Sequence, residues 1–415
     1  MDSKIENIIS RQILDSRGIP TIETEIILKN GIKGRASVPS GASTGKNEAL
    51  EKRDNNKNSF NGKSVYTAIN NIENIIKPAL LNIDVHKQRL IDTIMIDKDG
   101  TENKSNLGAN AILSVSLAAA RAASKYENIE LYKYLGGIYA IIMPVPMMNI
   151  INGGVHANNN LDFQEFMIQP VRSKNINESL KMGTEVFHKL KEIINTMGYS
   201  TAVGDEGGFA PEVKTNTEAI EMIIYAIEEA GYSTEEIKIC IDAASSELYK
   251  DGKYFLSGEE KELCSREMTD YLEKLVNNYP VISIEDGLSQ DDYSGWRELT
   301  KRLGEKCQIV GDDLFVTNYK RLEFGIENNI ANSILIKLNQ IGTLTETLDT
   351  ILLAQKNNYK TIISHRSGET EDTFIADLSI AVNSGQIKTG SLSRGERIAK
   401  YNRLIRIEED LQKRK

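Results

Sequence analysis

The sequence predicts an α/β protein in which a parallel α/β barrel follows a smaller α+β domain. Its 415 residues are more than one ordinary core holds, so two domains, or a barrel with an appended domain, are expected. After Leu135-Gly136-Gly137 the pattern changes to short apolar runs alternating with helical segments, which divides the chain into residues 1–135 and 136–415. The runs at 237–241, 281–284, 308–310, 333–336 and 361–363 are continuous rather than alternating, as parallel strands covered on both faces should be.

In the first domain, residues 21–28 largely alternate polar and apolar, Lys29-Asn30-Gly31 supplies a turn, and a second extended run reaches Val38. That pattern is a hairpin. A polar stretch at 55–63 follows, and 109–124 reads as a helix rich in Ala and Leu, with side chains small enough to pack closely. In the second domain, residues 217–231 place Ile220, Ile223, Ile224, Ile227 and Ala230 on one helical stripe, with Thr215 and Glu218 spaced as a capping box. The five apolar runs end in Asp242, Glu285, Asp312, Lys337 and His365, which lie 43, 27, 25 and 28 residues apart. A βα unit takes roughly 30 residues. Strand C-termini of a parallel barrel share one mouth, so five reactive side chains are expected to face one cavity.

Composition narrows the function. Apolar residues make up 40% and charged residues 26%, ordinary for a folded soluble protein. The net charge of −9 opposes non-specific attraction to nucleic acid or anionic membrane. Cys240, Cys264 and Cys307 are odd in number and scattered, which suggests neither a disulfide framework nor a thiolate zinc site. Without a signal-like or membrane-spanning apolar run, cytoplasm is the expected location.

Asp242, Glu285 and Asp312 end successive runs. Taken singly, each suits a helix cap equally well. Three such anions in register repel one another unless a multivalent cation joins them, and an all-oxygen set selects a hard ion such as magnesium. Lys337 emerges beside them from Ile334-Leu335-Ile336. A salt bridge to one of the acids is the simpler reading of that lysine alone. Burial and a neighbouring cation would instead depress its pKa toward that of a general base. Ser364-His365-Arg366-Ser367-Gly368-Glu369 follows a run directly and offers a planar fork, a hydroxyl and a ring donor, which reads as a phosphate or carboxylate cradle. Lys388 sits at one further strand end. Ser40-Gly41-Ala42-Ser43-Thr44-Gly45-Lys46 has three residues between its glycines and Asn47 after its lysine, so it fails as a nucleotide-binding loop and reads as a lid. Gly204-Asp205-Glu206-Gly207-Gly208 and Gly153-Gly154-Val155-His156-Ala157 are polar turns whose role composition does not reveal.

Ten motifs in order resemble the enolase family, in its bacterial branch, essentially end to end: SGASTG, GGVHA, FQEFMIQP, GDEGGFAP, IDAASSE, SIEDGL, VGDDLFVTN, IKLNQIGT, SHRSGETED and KTGSLSRGERIAKYNRLIRIEE. The resemblance implies an N-terminal α+β capping domain with a lid and an eightfold barrel opening with two antiparallel strands and two helices. It implies a glycolytic hydro-lyase interconverting 2-phospho-D-glycerate and phosphoenolpyruvate with two magnesium ions per active site. Asp242, Glu285 and Asp312 match the ligands of the tighter ion and Ser43 the lid ligand of the second. Lys337 matches the base and Glu206 the acid. Gln164 and Glu165 match residues flanking the reacting centre, His156 and His365 the mobile and substrate-contacting histidines. Arg366 and Ser367 match the phosphate contacts and Lys388 the contact to the substrate carboxylate. A homodimer or an octamer built of dimers is implied, with neither nucleic acid nor membrane insertion.

Ile19 stands where the family usually has Asn in its DSRGNP segment, and Arg172-Ser173 replaces a usual small-residue turn. The first bears on subunit packing if that segment forms the interface. Two other readings stand beside this one. The first is a magnesium-dependent barrel enzyme of the same superfamily acting on a non-phosphorylated acid. The second is an added surface role through the basic Lys413-Arg414-Lys415 tail, with a secondary cell-surface or secreted pool.

Overall fold

A computed structural model describes residues 2–42 and 45–413. The N-terminal sheet is an antiparallel meander of β1 (Ile5–Leu14), β2 (Pro20–Leu28) and β3 (Lys33–Ser37). The β2–β3 hairpin turns at Gly31, φ 82°, as the sequence predicts. β1 is not legible in the same way, because its IENIISRQIL sequence carries polar residues on both faces. The helix Ala109–Tyr126 covers the sheet and is buried nearly all round. Its alanines allow the contact: a Cβ on Gly34 of β3 would lie 2.2 Å from the Ala122 nitrogen and 2.3 Å from the Ala118 oxygen.

The remaining architecture is a closed eight-stranded barrel in the order β10-β11-β12-β13-β14-β4-β5-β6. Its strands are β4 (Val145–Asn152), β5 (Glu165–Pro170), β6 (Ile237–Asp242), β10 (Val281–Glu285), β11 (Gln308–Gly311), β12 (Ser333–Ile336), β13 (Lys360–Ser364) and β14 (Gln386–Lys388). Between β6 and β10 a small antiparallel sheet of β7 (Tyr249–Lys250), β8 (Lys253–Leu256) and β9 (Lys261–Leu263) projects from the barrel. β5 pairs antiparallel with both neighbours while every other barrel pairing is parallel. Two helices, Ile176–Thr196 and Asn216–Glu229, then separate β5 from β6. At the second helix Thr215 caps the Glu218 N–H as expected, but Glu218 accepts from Lys214 N–H, one residue before the cap.

The period-two alternation of strands fills the barrel in layers. Gln169, Gln308, Gln386 and Ser283 hydrogen-bond one another in one layer. Met147, Met167, Cys240, Val310, Leu335 and Ile362 form an apolar layer. Two residues after Met147, Cys240, Val310 and Leu335 come Asn149, Asp242, Asp312 and Lys337, and two residues before Met167 on the reversed β5 comes Glu165. Among the described residues no helix is long and apolar enough to cross a membrane.

Candidate active site

The inversion of β5 explains how Glu165 joins the strand-end acids. Its first residue pairs with Asp242, the last of β6, so the start of β5 lies at the mouth where the parallel strands end. Asp242, Glu165 and Glu285 surround Lys388, whose Nζ lies 3.1 Å from Asp242 Oδ2, 3.1 Å from Glu165 Oε2, and 2.9 and 3.0 Å from the Glu285 oxygens. All four side chains are essentially inaccessible. Burial disfavours the Lys388 ammonium, but these carboxylates more than offset it and its pKa is raised well above the ordinary value. Burial and the nearby Asp242 push Glu285 well above the carboxylate range despite Lys388.

Lys337, just past β12, pairs through Nζ with Asp312 Oδ2, and Gln340 Nε2 donates to Asp312 Oδ1 at 2.8 Å. Thr317 accepts from the Lys337 backbone N–H at 2.9 Å and donates to Gln340. Its backbone and that of Val316 lie in the left-handed region, φ 54° and 45°, a strained setting for β-branched residues. Two main influences act on the Lys337 pKa apart from any bound cation. Burial lowers it, yet the ion pair with Asp312 outweighs burial and the net shift is upward. The same pair draws Asp312 below its ordinary value against burial.

Two loops complete the mouth. His156, after β4, places Nδ1 3.6 Å from Glu165 Oε1 and 3.7 Å from Glu206 Oε1. Glu206 receives the Asn149 amide at 3.1 Å on Oε2 and faces His365 Nε2 at 3.3 Å on Oε1. The two glutamates are driven apart. Burial and the charge on Glu206 hold Glu165 well above the carboxylate range. Burial opposes charge on Glu206 too, but His365, His156 and Lys388 bring it well below. Burial also shifts the His156 pKa down despite Glu206 and Asp242.

Arg366 forms a two-pronged pair with Glu48, at 2.9 and 3.2 Å, and donates to Asn339 at 3.1 Å. Ser367 Oγ accepts the Ala42 N–H at 2.7 Å, and Ser40 and Gly368 exchange backbone hydrogen bonds at 2.8 and 2.9 Å. The phosphate-cradle sequence is thereby seated against the lid sequence. Gln164 reaches Asp242 at 3.4 Å. Ser43 lies outside the described residues.

Among the described residues, the groups with ligand atoms within 4.8 Å of one another are His156, Glu165, Glu206 and, separately, Asp286, Asp312, Asp313. The trio inferred from the sequence is distributed differently, with Lys388 between Asp242 and Glu285 and Lys337 on Asp312. The donor chemistry still fits a hard divalent cation. Five buried carboxylates, Glu165, Glu206, Asp242, Glu285 and Asp312, face two ammonium groups, and the buried acceptor Gln164 Oε1 lacks a hydrogen-bond partner.

Sequence reasoning missed Glu48, Asn149, Gln340 and Arg397. Arg397 stands in GERIAKYNR, part of a motif whose resemblance to the family assigns it no role, and it is fully buried. Only the partners, distant in sequence, reveal such a residue.

The fold and the acidic mouth define a barrel of the enzyme type whose buried carboxylates could hold a metal ion. The family model described as Enolase, N-terminal domain matches residues 5–135, and that described as Enolase, C-terminal TIM barrel domain matches residues 140–415. The chain belongs to the enolase family, and membership supports a lyase of the enolase hydratase type acting on a small-molecule substrate.

Proposed function

We propose that the chain catalyses the reversible dehydration of 2-phospho-D-glycerate to phosphoenolpyruvate, the glycolytic reaction, with two magnesium ions per active site. The observation that supports this most is the set of groups around Lys337. A lysine only 14% exposed shares one barrel mouth with an anion-binding set, Arg366, Ser367 and Lys388, and with a glutamate pair of split proton affinity.

Taking the proton next to a carboxylate places a second negative charge on that group, which is prohibitive unless positive charge is already there. Lys337 is the base that takes it. Lys388 orients the substrate carboxylate, while the Arg366 fork and the Ser367 hydroxyl hold the phosphate. Glu206, fixed by Asn149 and facing His365, is the acid that assists departure of the hydroxide. Asp242, Glu285 and Asp312, with Ser43, would hold magnesium, which would supply Lewis-acid stabilisation of the developing charge, a pairing with a lysine base that is general to the enolase superfamily. The segments around Ser40 and His156 close over the site and exclude water.

Ultraviolet detection of phosphoenolpyruvate from 2-phosphoglycerate, with magnesium and with chelator, tests the proposal. Turnover is expected to require metal and to fall about 10²–10⁴-fold in Lys337→Ala. A folded, magnesium-supplied wild type that forms no product ends the proposal, and non-phosphorylated carboxylic acids then test the wider superfamily reading.

A further inference from the structure

Arg397 lies on the helix Gly395–Gln412, outside every barrel strand, and has no accessible surface. Its four terminal N–H groups all have partners. Nη1 donates to the Arg366 carbonyl at 2.6 Å and lies 2.6 Å from His365 Nδ1. Nη2 donates to the carbonyls of Ser367 at 2.6 Å and Asp205 at 3.0 Å. One side chain thus ties the loop after β13 to the loop that carries Glu206.

A guanidinium has donors only and does not lose its proton in proteins. The ring nitrogen that faces it at 2.6 Å must therefore offer a lone pair. We infer that Arg397 is a positioning residue: its N–H on His365 Nδ1 fixes His365 as the neutral Nε2–H tautomer, a permanent donor aimed at Glu206 and the cavity. The Nε2 atom lies 3.3 Å from Glu206 Oε1 without forming an aligned hydrogen bond, so this N–H is held in reserve. Burial agrees with a neutral ring, for it carries the His365 pKa down to about 3 against the pull of Glu206, with Arg397 acting in the same direction as burial. A ring so fixed cannot act as a base toward substrate. Its Nε2–H lies beside the acid, available to donate a hydrogen bond to a group that enters the cavity. That catalytic consequence rests on the reaction proposed above, whereas the tautomer does not.

The test is nitrogen NMR on full-length protein labelled with ¹⁵N-histidine, which has four histidines, with His365→Gln identifying the signals of the ring. At neutral pH the proton is expected on Nε2 and none on Nδ1. A proton on Nδ1, or an imidazolium, overturns the inference. In Arg397→Met the Nδ1–H tautomer is expected to appear, with kcat at least about 10-fold lower and KM changed far less. Arg397→Lys, which keeps a donor near Nδ1, is expected to restore part of both. A folded Arg397→Met with an unchanged tautomer overturns the role of Arg397, and if neither variant folds the wild-type spectrum decides. Because the tautomer is read without turnover, failure of the proposed reaction is seen separately.

Discussion

Asp372, in the loop between β13 and the helix Phe374–Ala381, accepts two hydrogen bonds from Arg121, at 2.5 and 2.7 Å, and the backbone N–H groups of Ser37 and Phe374 at 2.9 and 2.8 Å. Burial raises its pKa, but Arg121 and these donors outweigh burial and the net shift is downward. A carboxylate with a depressed folded pKa adds stability above its unfolded value near 3.9, and that stability is lost as pH falls through the folded value. Asp372→Asn is therefore expected to lower stability by about 3 kcal/mol at pH 7. The melting-temperature gap from wild type should shrink toward pH 2; a gap independent of pH would remove the ion pair as its cause. At this scale legibility followed position. Asp242, Glu285, Lys337 and His365 stood out because each ends an apolar run, which is a local signal. Glu165 begins its run, so its place at the mouth depends on the direction of β5 and entered only through the family resemblance. For Lys337 the sequence places burial and a cation beside the ammonium, and the structure adds Asp312, whose charge acts in the opposite direction.

At the scale of elements, the contact between β3 and the helix Ala109–Tyr126 leaves no room for a side chain at Gly34. The atoms in the way are backbone, which cannot rotate aside. Gly34→Ala is expected to force the helix from the sheet and cost about 3 kcal/mol, measured by denaturant midpoint at unchanged slope. A loss below about 0.5 kcal/mol would mean that the helix seat adjusts freely. The sequence made the hairpin and both helices legible through turn chemistry and apolar periodicity. It hid β1, whose alternation is blurred by Arg11 and Gln12, and β4, whose VPMMNIIN run has no charged end to mark it. Barrel closure itself is a property of eight pairings, and no single segment encodes it.

At the scale of the molecule, the barrel mouth concentrates more buried negative charge than the two lysines offset. A divalent cation that binds there in the folded state alone must stabilise the whole chain by mass action, about 2.7 kcal/mol at a hundred times its dissociation constant. Magnesium is expected to raise the melting temperature relative to chelator; no change at saturating magnesium would remove the acidic layer as a cation site.

The placement of Lys388 also sets a timetable for biosynthesis. Ribosomes deliver Glu165, Asp242 and Glu285 more than a hundred residues before the ammonium that lies among them, since β14 is the last barrel strand in chain order. Until that strand emerges, three carboxylates destined for one dry layer have no Lys388 to oppose their repulsion, and β4 has no neighbour on its other edge. Barrel closure is thereby deferred to the end of translation, so the nascent barrel waits open-edged while the N-terminal meander and its helix, complete by residue 126, are free to settle first.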